Sequence, residues 1–388
     1  MITDMQSARD IPENGKKSLG LYIHIPFCRQ KCNYCDFCSV AKPSGEFVDA
    51  YLKGLLSCIE KWSERARGHV VDTVYIGGGT PTTLTARQLS SVIDSCAKNY
   101  SFSDNPEISC ECNPATGSRE FFRELRGAGI NRLSIGVQSA NDDELRALGR
   151  IHDFRGFVGT YNEARGAGFD NISVDLMYGI PLQTVSSFEK TLDDITALSP
   201  EHISAYCLKV EENTPFGKMA DRLILPDEDE QFEMYRLCVD KLRAAGYDRY
   251  EISNFAKRGR ESRHNMRYWL GEDYLGFGAA AHSYFEGERF SFAPNIAAFA
   301  NGTCDLSEGE KIEGRELMSE FVMLRMRLRE GVLFEEFERR FGCAFYEAFP
   351  AAKRFEGTGH AICDGASYRF GDEGFFVSSY ILSEILDF

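Results

Sequence analysis

Between residues 19 and 208, short apolar runs alternate with longer stretches of helical periodicity. The apolar runs are GLYIHI (20–25), DTVYIGG (72–78), EISCECN (107–113), RLSIGVQS (132–139), NISVDLMYG (171–179) and HISAYCL (202–208). The stretches 46–66, 85–99, 118–128, 154–167 and 185–197 read as helices. Thr85, Ser118, Asp153 and Ser186 can each accept a hydrogen bond from a free N–H of a first helical turn. Gly127, Gly129 and Gly168 stand near helix ends, where a left-handed residue releases the chain. This alternation predicts an α/β fold with a parallel sheet and helices outside it. Six such units fall short of the eight that close a TIM barrel.

The strand faces say more. Ser109, Glu111 and Asn113 alternate with Ile108, Cys110 and Cys112, and Ser134, Gly136 and Gln138 with Leu133, Ile135 and Val137. Ser173 and Asp175 alternate with Ile172, Val174 and Leu176, and Ser204 and Tyr206 with Ile203, Ala205 and Cys207. Successive strand residues point to opposite faces. One face is therefore aliphatic, for helices, and the other small or polar. A packed barrel interior would be bulky and branched, so the polar face predicts the wall of a cavity.

After Leu208 the pattern changes. A helix is expected from Asp227 to Ala245, then irregular Gly- and aromatic-rich sequence over 250–300. Helices at 314–329 and 333–341, short strands over 366–378 and a terminal apolar segment predict a smaller C-terminal α+β domain. The expected division is an N-terminal segment 1–18, a barrel 19–225, a barrel-associated region 226–310 and a C-terminal domain 311–388.

Composition narrows the function. Hydrophobic residues at 43% and charged residues at 27% describe a globular chain rather than a disordered one. The net charge of −15, with no basic stripe, argues against a nucleic-acid partner. No uncharged stretch reaches the ~18 apolar residues of a membrane span. The first 17 residues are polar and charged, without the apolar core of a secretory signal, so a cytoplasmic protein is expected. There, thiols stay reduced, so a local group of cysteines reads as metal binding. Cys28, Cys32, Cys35 and Cys38 form such a group among thirteen cysteines.

Cys28-x3-Cys32-x2-Cys35 follows the first strand, on a loop. Structural zinc takes four protein ligands, whereas an iron–sulfur cube held by three thiolates leaves one iron open to a small molecule. Cys38 could supply a fourth thiolate, but would then close that iron. Gly77-Gly78-Gly79-Thr80-Pro81 ends the second strand and lets the backbone approach a ligand. It is not the GxGxxG of a dinucleotide fold. Tyr22 and Tyr34 could stack on or hydrogen-bond a ligand, or simply pack. Glu111, Gln138 and Asp175 share the polar face, and Arg150 could pair with a carboxylate.

CxxxCxxC, preceded by a strand and an aromatic, resembles the signature of the radical S-adenosylmethionine superfamily. The resemblance implies a (βα)6 partial TIM barrel of the radical SAM type. It implies that Cys28, Cys32 and Cys35 hold a [4Fe–4S] cluster, whose fourth iron binds the amino and carboxylate groups of S-adenosylmethionine. YIHIPFCRQKCNYCDF, YIGGGTPT, ECNP, RLSIGVQS, LGRIHD, DLMYGIP, ISAYCLKVEENTPF, YEISNFAKRGRESRHNMRYW and YLGFGAAAHS further resemble the HemW-type heme chaperones, relatives of oxygen-independent coproporphyrinogen III oxidase (HemN). By that correspondence Tyr22, Gly78, Gly79, Glu111, Gln138, Arg150 and Asp175 line the nucleotide site, with Thr80 and Tyr34 beside it. His264-Asn265-Met266-Arg267-Tyr268-Trp269 fits the HNxxYW motif associated with heme, with His264 as the expected ligand and His282 a weaker candidate. Two departures separate the chain from the oxidase. Phe37 stands where the oxidase has a further cysteine, and only 27 residues precede Cys28.

Two functions follow from the resemblance. A chaperone would bind heme and pass it to apo-hemoproteins, among them membrane respiratory enzymes, with a one-electron donor and a homodimer left open. An oxidase would cleave S-adenosylmethionine to a radical and decarboxylate propionates of coproporphyrinogen III.

Overall fold

The computed structural model describes residues 16–114, 116–307 and 309–386, so most of the expected segment 1–18 lies outside the described residues. The six expected strands are β1 (Lys17–Ile25), β2 (His69–Gly78), β3 (Phe102–Cys112), β4 (Arg132–Gln138), β5 (Ile172–Tyr178) and β6 (His202–Cys207). They pair in parallel and in sequence order. Helices α1 (Gly45–Trp62), α2 (Ala86–Asn99), α3 (Arg119–Gly127), α4 (Asp142–Ala147), α5 (Phe154–Gly166), α6 (Val185–Leu198) and α7 (Glu228–Ala244) intervene or follow. The sheet stays open, as a partial barrel must.

Thr85, Ser118 and Asp153 cap their helices as expected. The fourth cap is not Ser186 but Thr184, whose side chain accepts from the Ser187 N–H. Thr184 is extended there, at φ −120 and ψ 163, as a cap must be, which leaves Ser186 inside the first turn. Asp227 caps α7 and closes a reciprocal pair with Glu230.

The region expected to be irregular supplies more of the sheet. It contributes β7 (Asn254–Ala256), α8 (Arg263–Trp269), β8 (Tyr274–Phe277), β9 (His282–Phe285) and β10 (Glu288–Ser291). β8 pairs in parallel with β1, Tyr22 lying opposite Gly276, while β7 adds antiparallel to β6. With Asp248–Arg249 and Glu310–Lys311 at the two edges the sheet has twelve strands. Strands β7 to β10 are three or four residues long, each with a single Phe, and the edge strands have two residues, too short to show a period of their own.

The two faces divide as the alternation predicts. Leu19, Leu21, Ile23 and Ile25 of β1, with Val74, Ile76, Leu133, Ile135, Val174 and Ile203, are buried against the helices in one continuous core. Each such side chain contributes roughly 1.5–3 kcal/mol of hydrophobic stabilisation. Across the other face, register sets side chains in rows. Tyr22 lies opposite Tyr75, Tyr75 opposite Ser109, and Ser109 opposite Arg132. Nearer the strand ends Gly136 lies opposite Asp175, and Asp175 opposite Ser204.

The C-terminal part holds α9 (Gly314–Arg325), β11 (Val332–Leu333), α10 (Phe334–Phe341), β12 (Ala361–Cys363) and β13 (Ser367–Phe370). Its core is aromatic, with Phe321, Phe337, Phe345, Phe349 and Tyr368 buried together. The strands expected over 366–378 stop at Phe370. α11 (Asp372–Phe376) follows, and the terminal apolar segment is α12 (Ser378–Ile385). Asp372 accepts from Arg243 on α7 and from Arg249, which ties this part to the barrel.

Candidate functional site

The polar strand face and the loops at the C-terminal ends of the strands enclose a cavity of about 350 Å³. Cys28, Cys32, Cys35 and Tyr34 line it from the β1 loop, and Gly78, Gly79 and Thr80 from the end of β2. Glu111 (β3), Gln138 (β4), Arg150 and Asp175 (β5) complete the convergence. Segments far apart in the chain thus bring these expected residues to one wall.

The cysteine loop is held by backbone and side chain together. A short parallel pairing of Phe27 with Val40 and Cys28 with Ala41 closes its base, and Asn33 N donates to Leu148 O at 3.0 Å. Arg150 Nη1 donates to Cys32 Sγ at 3.4 Å while Nη2 donates to Gly136 O at 2.7 Å. Thr80 Oγ1 donates to Cys28 Sγ at 3.7 Å. Burial pushes the Cys28 and Cys35 thiols up, partly opposed at Cys28 by Thr80 and Ser39 and at Cys35 by the Phe37 backbone. A bound cation centre reverses that shift and deprotonates a coordinating thiol.

Cys38 is not on the cavity wall. Its Sγ faces Pro294 O at 4.0 Å and its carbonyl accepts from His24 Nε2 at 2.8 Å. Among the described residues no three His, Cys, Asp or Glu donors converge on one point to share a single metal ion. In an iron–sulfur cube each thiolate binds a different iron, so three thiols spread around a wall without a fourth suit a cube better than zinc.

The glycines answer to sterics. Gly78 has φ +112, and a Cβ there would stand 2.5 Å from the His24 ring; at Gly79 it would meet Phe27 O at 2.8 Å. The turn therefore exposes backbone beside the cysteines. Gly78 N donates to Glu111 Oε2 at 3.0 Å and Tyr75 Oη to Glu111 Oε1 at 3.1 Å. Burial, with the nearby Asp175 charge, pushes the Glu111 carboxyl up to about 7. Asp175 accepts from Ser134 Oγ at 3.0 Å, and burial raises its carboxyl too. Gln138 sits at φ 72 where the register between β4 and β5 shifts. A bulge at a strand end re-aims a side chain, and a non-glycine residue keeps that conformation only where its surroundings demand it.

Two expected residues lie elsewhere. Tyr22 shares the inner face, but its ring packs on Tyr75 at 6.3 Å and its hydroxyl donates to His24 Nδ1 at 3.1 Å. Tyr75, rather than Tyr22, reaches the cavity. His264 is fully buried. Its Nδ1 pairs with Thr73 Oγ1 at 2.9 Å, its Nε2 with Tyr268 Oη at 2.9 Å, and its ring stacks on Tyr75 at 5.4 Å. Burial, then the charges of Arg267 and Arg132, hold its pKa well below the usual histidine value. A heme iron needs a free imidazole lone pair, so this packing does not fit an axial ligand as expected. His282 is exposed on β9.

Cavity residues not singled out from sequence include Tyr75 and Arg132. Tyr75 and Arg132 share strand parity with Gly77 and Ser134, a usable signal. Asn265, named above only as part of the HNxxYW motif, also lines the cavity.

Comparison with known proteins agrees with this geometry. Residues 22–195 match the family model of the radical SAM superfamily, and residues 312–377 that of the HemN C-terminal domain. The chain is 37% identical over 340 residues to the heme chaperone HemW of Bacillus subtilis, covering 85% of this chain and 89% of that one. It is 38% identical over 332 residues to HemW of Haemophilus influenzae, covering 82% and 85%. Among solved structures, coproporphyrinogen III oxidase (HemN) of Escherichia coli, a radical SAM enzyme, has the same fold. Its TM-score is 0.84 at 22% identity, covering 100% of this chain and 93% of that one. The three thiols around one cavity, the glycine turn beside them and full-length similarity at this level lead to one assignment: the chain belongs to the HemW family of heme chaperones within the radical SAM superfamily.

Proposed function

We propose that this protein takes up heme and passes it to apo-hemoproteins, with a [4Fe–4S] cluster and S-adenosylmethionine held in the barrel cavity. The observation that carries the reading is similarity over more than four-fifths of the chain to several heme chaperones. Membership of the radical SAM superfamily implies the cluster and the nucleotide.

Cys28, Cys32 and Cys35 would hold the cluster. When bound, it supplies an open iron for the nucleotide and one electron drawn from an external donor. The Gly78–Gly79 turn and Thr80 bring backbone groups to the nucleotide. Glu111, once ionised, accepts from its amine or ribose hydroxyls, with Gln138 and Asp175 as further polar contacts. Arg150 neutralises charge beside Cys32. Tyr22 acts at one remove, by packing Tyr75 against the wall. Tyr34 and Phe37 line the same cavity. Residues 19–225 serve as the cofactor barrel, 226–310 carry the HNxxYW helix and 311–388 form the C-terminal domain. His264 meets heme only if Tyr268 releases its Nε2.

Anaerobically reconstituted protein, titrated with ferric heme and then mixed with an apo-hemoprotein, should show a saturable Soret band that moves to the acceptor. Absence of that band would refute the reading. The HemN C-terminal match favours a second reading, oxidation of coproporphyrinogen III. Anaerobic incubation with that substrate, S-adenosylmethionine and a reductant should then yield protoporphyrinogen IX; an unchanged substrate leaves the first reading standing.

A further inference from the structure

Among the described residues, Arg132 and Arg267 are the two largest side chains that the protein encloses almost completely. The fold treats them oppositely. Arg267 pairs with Asp72, lies 3.5 Å from Glu272, and donates to Asp273 O at 3.1 Å. Arg132, at 1% exposure on the inner face of β4, makes no ion pair among the described residues, and its Nε has no hydrogen-bond partner. Yet its side chain lines the cofactor cavity.

Its neighbours are committed elsewhere. Asp175 accepts from Ser134 and Ser173. Glu111 accepts from Tyr75 and Gly78. His202 is closed between Ser173 Oγ and Tyr250 Oη, both at 2.8 Å. His264 is closed between Thr73 and Tyr268. The Arg132 charge opposes the burial-driven rise of the Asp175 carboxyl, but the two form no ion pair; a buried guanidinium, always charged, is costly without a hydrogen-bonded counter-ion. A cation kept in this state on a cavity wall awaits an anion from outside.

We infer that Arg132 is the anion-receiving group of this cavity and takes a carboxylate of the tetrapyrrole, a propionate, by a two-pronged hydrogen bond. The inference rests on the tetrapyrrole reading above. We assign the nucleotide to the cysteine end of the cavity instead. Arg132 and Gln138 stand at opposite ends of β4, six steps or about 20 Å of strand apart. Arg150, already within 3.4 Å of Cys32 Sγ, is the arginine on the cysteine side. Planar, bidentate recognition of a carboxylate is what a guanidinium does and an ammonium does less well.

The test titrates anaerobically reconstituted, S-adenosylmethionine-loaded protein with ferric heme and with its dimethyl ester, which lacks both carboxylates. Native protein should bind the acid at least tenfold tighter. Arg132→Met should abolish that preference with nucleotide affinity within twofold of native, and Arg132→Lys should keep part of it. Arg132→Met should also melt no lower than native, since the charge it removes is unpaired. Equal binding of acid and ester by native protein, an unchanged preference in Arg132→Met, a selective loss of nucleotide affinity, or an Arg132→Met that fails to fold would each overturn the assignment. If native protein binds neither form of heme, the heme reading fails. Coproporphyrin III and its tetramethyl ester then decide Arg132 in the same way, no preference for the acid, or no binding of either, overturning it.

Discussion

The cysteine cavity and the HNxxYW helix are both built from polar side chains in the barrel interior, yet one is open and the other closed. Around the cavity, Cys28, Glu111, Gln138, Asp175 and Arg132 line an open space, and Arg132 Nε has no hydrogen-bond partner. At the helix, both ring nitrogens of His264 are satisfied inside the protein by Thr73 and Tyr268. A fold can leave polar groups short of partners only where a ligand or water will supply them; elsewhere it must pair them. The cavity is therefore prepared for a guest, while the histidine motif first works as architecture. Asn265 and Tyr75 join the two, since both line the cavity and Tyr75 stacks on His264.

The largest effect should separate the cysteines. Cys28→Ala, Cys32→Ala and Cys35→Ala should each remove the brown absorbance of reconstituted protein, and Cys38→Ala should retain it, as read by iron and sulfide content. Equal loss in Cys38→Ala would put the fourth thiol in the ligand set.

Glu111 tests whether the open region is tuned for a cation. Its folded pKa of about 7 lies above its ordinary 4.5. Between those values only the folded state keeps the proton, so its contribution to stability is full below pH 4.5 and falls as pH rises toward 7. Glu111→Gln should accordingly melt higher than native at pH 8 and match it near pH 5. Nucleotide affinity of native protein should rise about tenfold from pH 6 to pH 8 as the carboxylate forms, and Glu111→Gln should flatten that rise in calorimetric titrations.

The closed region should behave as structure. Thr73→Val and Tyr268→Phe each leave one buried imidazole nitrogen unpaired, at a cost of about 1–3 kcal/mol, measured by chemical denaturation. The two differ toward heme. Only Tyr268→Phe frees Nε2, so it alone should strengthen a histidine-type Soret band, and a Tyr268→Phe spectrum identical to native would confine His264 to its structural role.

The smallest effect concerns a helix start. Thr184→Ala should cost about 1 kcal/mol and Ser186→Ala under 0.5 kcal/mol, because only Thr184 holds a first-turn N–H. Denaturant midpoints distinguish the two.

Much of the barrel was readable before any coordinates. Strands from β1 to β6 announce themselves through period-two alternation, and the same alternation sorts Glu111, Gln138 and Asp175 onto the cavity face. The region 250–300 was not readable, because β8 owes its strand conformation to pairing with β1 and not to a pattern of its own. Over 366–378 the apolar residues suit strand or helix alike, and the Asp372 contacts to Arg243 and Arg249 accompany a helical turn. Tyr22 and His264 differ from expectation in their surroundings for one reason. A motif gives residue type and spacing, not whether a neighbour already occupies the hydrogen bond.

The amino-acid order by itself determined the alternating units, the aliphatic and polar faces and the cysteine spacing, because strand parity and loop position are local properties. Tertiary structure alone decided that Arg132 stands without an ion pair, that Tyr75 rather than Tyr22 meets the cavity and that His264 is sealed. Those facts depend on which side chains from distant segments arrive within hydrogen-bond reach, and no local pattern encodes that arrival.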